Sequence, residues 1–166
     1  MNETYKVQVQ GLVDDLKSVF THAGLGGEAG EYKLLTQSFL YKFLNDKFLY
    51  QAKVLDESNT YENLLAMSEQ DYDWLLEDIG TSTAWLKPDQ LIETLHRQQN
   101  EPTFYETFEN TLNQIAIDNN DIFSVHTDGD TAIRLFDERL ITDTISDSSK
   151  RNEVAKAIIN LLTRVK

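Results

Sequence analysis

Glu31-Tyr-Lys-Leu-Leu-Thr-Gln-Ser-Phe-Leu-Tyr-Lys-Phe-Leu-Asn-Asp-Lys-Phe48 is the stretch whose reading decides the fold. Tyr32, Phe39 and Phe43 fall at helical spacing and form one apolar stripe. Leu40, Leu44, Phe48 and Leu55 form another beside it. Together the stripes cover more than half the circumference of a helix running from about 28 to 55. A helix that apolar is expected at the centre of a domain, packed on two or more sides. The remaining polar arc is narrow and carries Lys42, Asp46 and Lys53. On this basis truncating Phe43 or Leu44 to Ala is expected to cost on the order of 2–5 kcal/mol.

Working outward, Leu12, Val13, Leu16, Val19, Phe20 and Ala23 predict a first helix over about 5–22. Gly24 is its stop residue and Gly26-Gly27 the turn. Ser68 is a helix N-cap candidate, followed by acids in the first turn and closed by Gly80. Pro88 and Pro102 each stand at a helix start, where a missing N–H costs nothing. Phe104, Phe108, Leu112 and Ile115 give the second of these helices, over 103–116, its apolar side. Asp118 to Asp130 is polar and turn-rich, and Ile122–Val125 is the best strand candidate, though short. Helices over about 131–145 and 149–165 finish the chain. The last carries Val154, Ala157, Ile158, Leu161, Leu162 and Val165 on one side and ends without a stop signal, as a domain cut from a longer protein would. The expectation is a single all-α domain spanning residues 1–166, with six to eight helices around a long, largely buried second helix.

Composition sets the class. A chain of 166 residues with 40% hydrophobic and 26% charged residues can bury a substantial core, which argues against global disorder. Cysteine is absent, so disulfides and thiolate zinc sites are excluded. No apolar run approaches a membrane span and the N-terminus lacks the pattern of a signal peptide, so a cytoplasmic protein without a membrane partner is expected. The net charge of −13 argues against nucleic acid, yet it is unevenly placed. Residues 1–56 carry a net −1, residues 57–130 a net −14 and residues 131–166 a net +2. An acidic middle suits solubility or a basic partner, whereas the ends can still meet phosphate because fields are screened beyond about 8 Å at physiological salt.

Motifs that could carry chemistry are weak. Gly24-Leu-Gly26-Gly-Glu-Ala29 matches a dinucleotide fingerprint, but such a loop needs a strand in front and residues 12–23 have helical spacing. Glu93-Thr-Leu-His96 is half of a di-iron carboxylate site with no second half, and His22 and His126 stand apart from it. Asp118-Asn-Asn-Asp and Asp128-Gly-Asp depart from the calcium loop, with Ile122 and Ala132 where oxygen ligands belong. No nucleophile motif is present. Catalytic residues, bound cofactors and metals are therefore not expected in these residues. The remaining candidates are cations. Lys33, Lys42, Lys47 and Lys53 ride the central helix, and Lys150, Arg151 and Lys156 open the last one. Converging on one face, such side chains could contact DNA phosphates or another subunit.

The run from Leu16 to about Leu55, with Gly-Leu-Gly-Gly-Glu-Ala-Gly-Glu-Tyr-Lys leading into Phe-Leu-Tyr-Lys-Phe-Leu-Asn-Asp-Lys-Phe, carries a resemblance. So, more weakly, does Ile133 to Leu162, with Arg-Leu-Phe-Asp-Glu, Lys150-Arg151-Asn152 and Ala-Ile-Ile-Asn160-Leu. Both segments resemble the N-terminal helical domain in the modification (DNA-methyltransferase) subunit of type I restriction–modification systems. The resemblance implies a non-catalytic domain of an N6-adenine DNA methyltransferase, preceding the catalytic domain and helping to enclose DNA. It implies assembly with a specificity subunit, a second modification subunit and in some cases a restriction subunit. S-adenosylmethionine is implied for the full-length parent and no cofactor for these residues. The Asn/Asp-Pro-Pro-aromatic loop of adenine methyltransferases cannot occur here, since the two prolines are far apart. A second expectation, of another class, is a free-standing acidic helical protein–protein adaptor.

Overall fold

The computed structural model describes residues 3–81, 83–120 and 136–164. The protein is all-α. Among the described residues there are eight α-helices, one 3-10 turn and no strand. Helix α1 (Glu3–His22) ends in a Schellman motif: the Leu25 N–H donates to Phe20 O and the Gly24 N–H to Thr21 O, with Gly24 at φ 89°. Gly27, at φ 77°, turns the chain into α2 (Ala29–Leu55), and its N–H donates to Glu31 Oε2 at 2.7 Å. The opening glutamate of the diagnostic run thus closes the turn that precedes it.

Helix α2 lays Leu34, Ser38, Tyr41, Leu44, Asn45, Phe48 and Ala52 into the core. The fully buried residues share one face, and Leu35, Phe39, Leu40 and Leu49 flank it on either side, half-buried against the core. Leu44 and Phe48 are inside as expected, but Leu40 is half-buried and Leu55 exposed. Tyr32 and Phe43 point to solvent. The apolar stripe through Phe43 lies opposite the core, because the two sets are offset by about half a turn at 100° per residue.

Short helices α3 (Tyr61–Ala66) and α4 (Glu69–Ile79) follow, capped by Thr60 and Ser68, whose hydroxyls accept from Asn63 N and Asp71 N. Pro88 starts a 3-10 turn (Pro88–Gln90) that breaks at Leu91 before α5 (Ile92–Arg97). Helix α6 (Phe104–Asp118) buries Phe104, Phe108, Leu112 and Ile115, the residues its spacing singled out. The helix expected over 131–145 is shorter. Residues 136–139 are bend and turn, α7 is Leu140–Thr144, and residues 131–135 lie outside the described residues. The strand candidate Ile122–Val125 and the Asp128-Gly-Asp segment also lie outside them. Helix α8 (Ser148–Leu162) packs on α1, α2, α5, α6 and α7, which makes it the second spine of the core.

Residues 83–92 are the feature the sequence did not suggest. They pass through the interior with little helical structure, and Thr83, Ala84, Leu86, Gln90, Leu91 and Ile92 are buried. A buried non-helical backbone needs partners for its polar groups. Side chains from four helices and from the segment itself supply them. Asn119 accepts from Trp85 N at 2.6 Å and donates to Trp85 O at 2.9 Å. The Tyr72 hydroxyl donates to Leu86 O. Gln90 Oε1 accepts from Lys87 N at 2.8 Å, and Thr94 donates to Pro88 O at 2.6 Å. Tyr41 of α2 donates to Gln90 O at 2.6 Å, and Asn45 of α2 accepts from Ile92 N at 2.9 Å. Burial pushes the Tyr41 and Tyr72 phenols well above their ordinary value, and the charge of Asp89 adds to it.

The five-residue helix α7 is too short to persist alone and is held at both ends. At its start the buried Glu109 carboxylate of α6 accepts from Ile141 N and Thr142 N, both at 3.0 Å, and from the Thr142 hydroxyl at 2.7 Å. A carboxylate there also meets the positive end of the helix dipole. At the other end Arg151 of α8 donates from Nε to Ile145 O at 2.9 Å.

Candidate functional site: the outward face of the second helix

Helix α2 turns an apolar, partly aromatic stripe away from the core. Tyr32, Phe43, Lys47, Tyr50 and Val54 recur at intervals of three, four and eleven, on a line about 33 Å long at 1.5 Å per residue, while Phe39, between the first two, packs half-buried against the core. Phe43 is 57% exposed and Tyr50 64% exposed. Isolated exposed apolar residues are ordinary, but a line of them along one helix marks an interaction surface. Beside it Tyr5, Val9 and Leu12 of α1 complete a groove of about 590 Å³. On the other side of α2 a cleft of about 620 Å³ opens towards α3, α5 and the end of α8. Lys42, Asp46 and Tyr50 line both.

The charges of this region are mostly neutralised. Lys42, whose side chain is only 12% exposed, pairs with Asp46 at 3.0 Å one turn on. In the cleft Arg97 lies 4.9 Å from the centre of the Tyr61 ring and pairs with both Glu62 and Glu93. Its hydrogen bond to Glu62 pushes the guanidinium further above its ordinary value. Glu93 therefore serves Arg97, one turn on in the same helix. Among the described residues no group of three or more His, Asp and Glu side chains gathers as a metal site. The glycine fingerprint at 24–29 follows α1, a helix, in place of the strand that nucleotide binding requires.

The seven cations singled out by sequence are not brought to one face. Lys33 pairs with Asp137 at 3.2 Å, tying α2 to the segment before α7. Lys42 is consumed by Asp46. Lys47 stands over the Phe43 ring at 5.7 Å, and neither it nor the exposed Lys53 has a carboxylate partner among the described residues. Arg151 holds the end of α7 and lies 5.8 Å from the Tyr105 ring centre. Lys150 and Lys156 are half-buried on α8. With Arg151, Lys150 reinforces the hydrogen bonds from Ser149 that hold the Asp147 carboxyl below its usual range. Asn152, in the same run, accepts from Tyr105 N at 2.9 Å and donates to Pro102 O, fixing the start of α6 to α8.

Sequence inspection missed Tyr5, Tyr50 and Val54 as members of the surface. The three-four spacing continues from Phe43 to Tyr50 and Val54 and could have found those two. Tyr5 comes from another helix and has no local signal.

The chain matches no protein-family model, no curated protein and no solved structure.

Proposed function

We propose that this chain is the N-terminal helical domain of a type I modification subunit. It would be a non-catalytic part of an N6-adenine DNA methyltransferase that helps enclose DNA and assembles with specificity and partner subunits in the cytoplasm. The observation that carries the proposal is the diagnostic run Glu31–Phe48. It lies on one uninterrupted helix whose inner face makes the core and whose outer face exposes Tyr32 and Phe43 within the run and Tyr50 and Val54 beyond it. An exposed apolar line of this kind is what a domain built into an assembly would present to its partners. Methyl transfer from S-adenosylmethionine would belong to the parent's catalytic domain, and sequence reading to the specificity subunit. Lys53, exposed at the end of α2 and outside the α1–α2 groove, is the cation most available to phosphate, and only in the assembled complex, given the net charge of −13.

The test is the parent reading frame past Lys166, followed by methylation of adenine N6 by its product. Continuation into an Asn-Pro-Pro-aromatic motif and a glycine-rich donor loop is the expected result. A stop codon at once, or loss of chemistry from a single Asp or Glu→Ala change here with assembly intact, refutes the proposal.

One observation favours the acidic adaptor instead. Trp74 is 58% exposed on α4, among Asp71, Asp73, Glu77 and Asp78. That alternative predicts a basic partner released by high salt.

A further inference from the structure

The outward stripe of α2 has a length, a chemistry and a charge that together describe its occupant. The groove beside it runs from Thr36 to Tyr50 of α2, about 21 Å, which matches about 14 residues of partner helix. The side chains of the stripe are rings and methyl groups, and this α1–α2 groove is lined mostly by carbon. The charged groups lining that groove are Lys42, Asp46 and Lys47. Lys42 and Asp46 neutralise each other at 3.0 Å, which leaves Lys47, on the midline of the stripe, as the one charge of the groove lining without a carboxylate partner among the described residues.

Nucleic acid fits this surface poorly. Duplex DNA presents a charge every 1.7 Å or so, on the order of 12 over the length of the groove. A groove that offers it Lys47 alone, on a chain of net charge −13, cannot neutralise such a ligand. A helix laid into a groove needs apolar anchors at three-four spacing and a polar group wherever the groove has one. Burying Lys47 without a counter-charge would be costly, so the occupant must bring a carboxylate to it.

We infer that the α1–α2 groove docks an amphipathic helix of a partner protein that carries a Glu or Asp within its apolar face, opposite Lys47. The inference rests on the proposed role of α2 as an assembly surface but not on the methyltransferase identity, which the reading frame tests separately.

The experiment uses the 166-residue chain and two fluorescent synthetic helical peptides long enough to span the groove. They share one leucine stripe and differ only in Glu or Lys at its centre. Binding is read by anisotropy for the wild type, Lys47→Glu and Phe43→Ser, with circular dichroism confirming that each variant is folded. The Glu peptide is expected to bind the wild type at least fivefold more tightly than the Lys peptide. That order should reverse in K47E, and F43S should weaken both at least tenfold. The inference is overturned by equal affinities, by the absence of reversal, by no saturable binding of either peptide, or by indifference to F43S. Displacement of the peptide by a single-stranded oligothymidylate would make the groove a nucleic-acid site. Self-association in the ultracentrifuge that F43S abolishes would make the occupant a second copy. Either result overturns the inference as stated.

Discussion

Phe43→Ala and Phe48→Ala remove the same side chain from the same helix, five residues apart, yet their costs should differ severalfold. Phe48 is fully buried and lies 6.3 Å from the Tyr72 ring, at the junction of α2 with α4. Removing it leaves a cavity in a close-packed interior, with a cost of about 3–5 kcal/mol. Phe43 is 57% exposed, so less than half its surface is withdrawn from water. Fully burying a phenylalanine contributes roughly 1.5–3 kcal/mol, so a share below half contributes about 1 kcal/mol. The Lys47 ammonium over its ring adds about 0.5 kcal/mol at an exposed site. A cost of up to about 1.5 kcal/mol therefore replaces the 2–5 kcal/mol that a buried position implied for Phe43. Urea unfolding followed by circular dichroism measures both. At about 2–4 °C of Tm per kcal/mol for a chain of this size, the variants should also separate clearly in a thermal scan. Equal costs for the two variants would falsify the assignment of the inner and outer faces of α2.

Three further outcomes follow from particular side chains. The Ser38 hydroxyl is buried on the core face of α2 without a hydrogen-bond partner among the described residues, so Ser38→Ala should stabilise by about 1 kcal/mol, read from the urea midpoint. Glu109→Ala should cost about 2–4 kcal/mol by orphaning the Ile141 and Thr142 N–H groups. Glu109→Gln, which keeps an acceptor oxygen, should recover part of this, and hydrogen exchange at those two amides should report the loss directly. The Tyr41 and Tyr72 phenols titrate higher folded than unfolded, so their contribution is fully present below the ordinary tyrosine value near 10. It is lost as pH rises from there through the folded values. Stability should therefore fall progressively as pH rises above about 10, and fall less in a Tyr41→Phe/Tyr72→Phe double variant; an equal fall in both proteins would count against the assignment.

Much of the architecture was legible because it depends on local signals. Gly24 stops α1 because a left-handed residue is needed there, and Ser68 starts α4 because its hydroxyl satisfies a free N–H. The spacing of Phe104, Phe108, Leu112 and Ile115 placed α6 with its core face correctly. The interior segment 83–92 was not legible. Its backbone partners, Tyr41, Asn45, Tyr72 and Asn119, come from positions far away in the chain, and nothing near Trp85 or Leu86 announces them. The same holds for α7, a single turn that exists because Glu109 and Arg151 grip its ends. The cations of the candidate site were visible as residue types, but their partners were not. Lys33 and Asp137 are a hundred residues apart in the chain and 3.2 Å apart in space.

The sequence by itself determined that this protein is helical, where most of its helices begin and stop, and that the second is too apolar for an ordinary surface helix. Those properties follow from periodicity, capping and composition, which act over a few residues. Only the tertiary structure decided which apolar side of α2 enters the core. Periodicity records that a helix has two apolar faces, but not which one its neighbours will cover. Phe108 of α6, Tyr72 of α4 and the segment around Gln90 and Ile92 close over Tyr41, Phe48 and Asn45, while Phe43 and Tyr50 face outward.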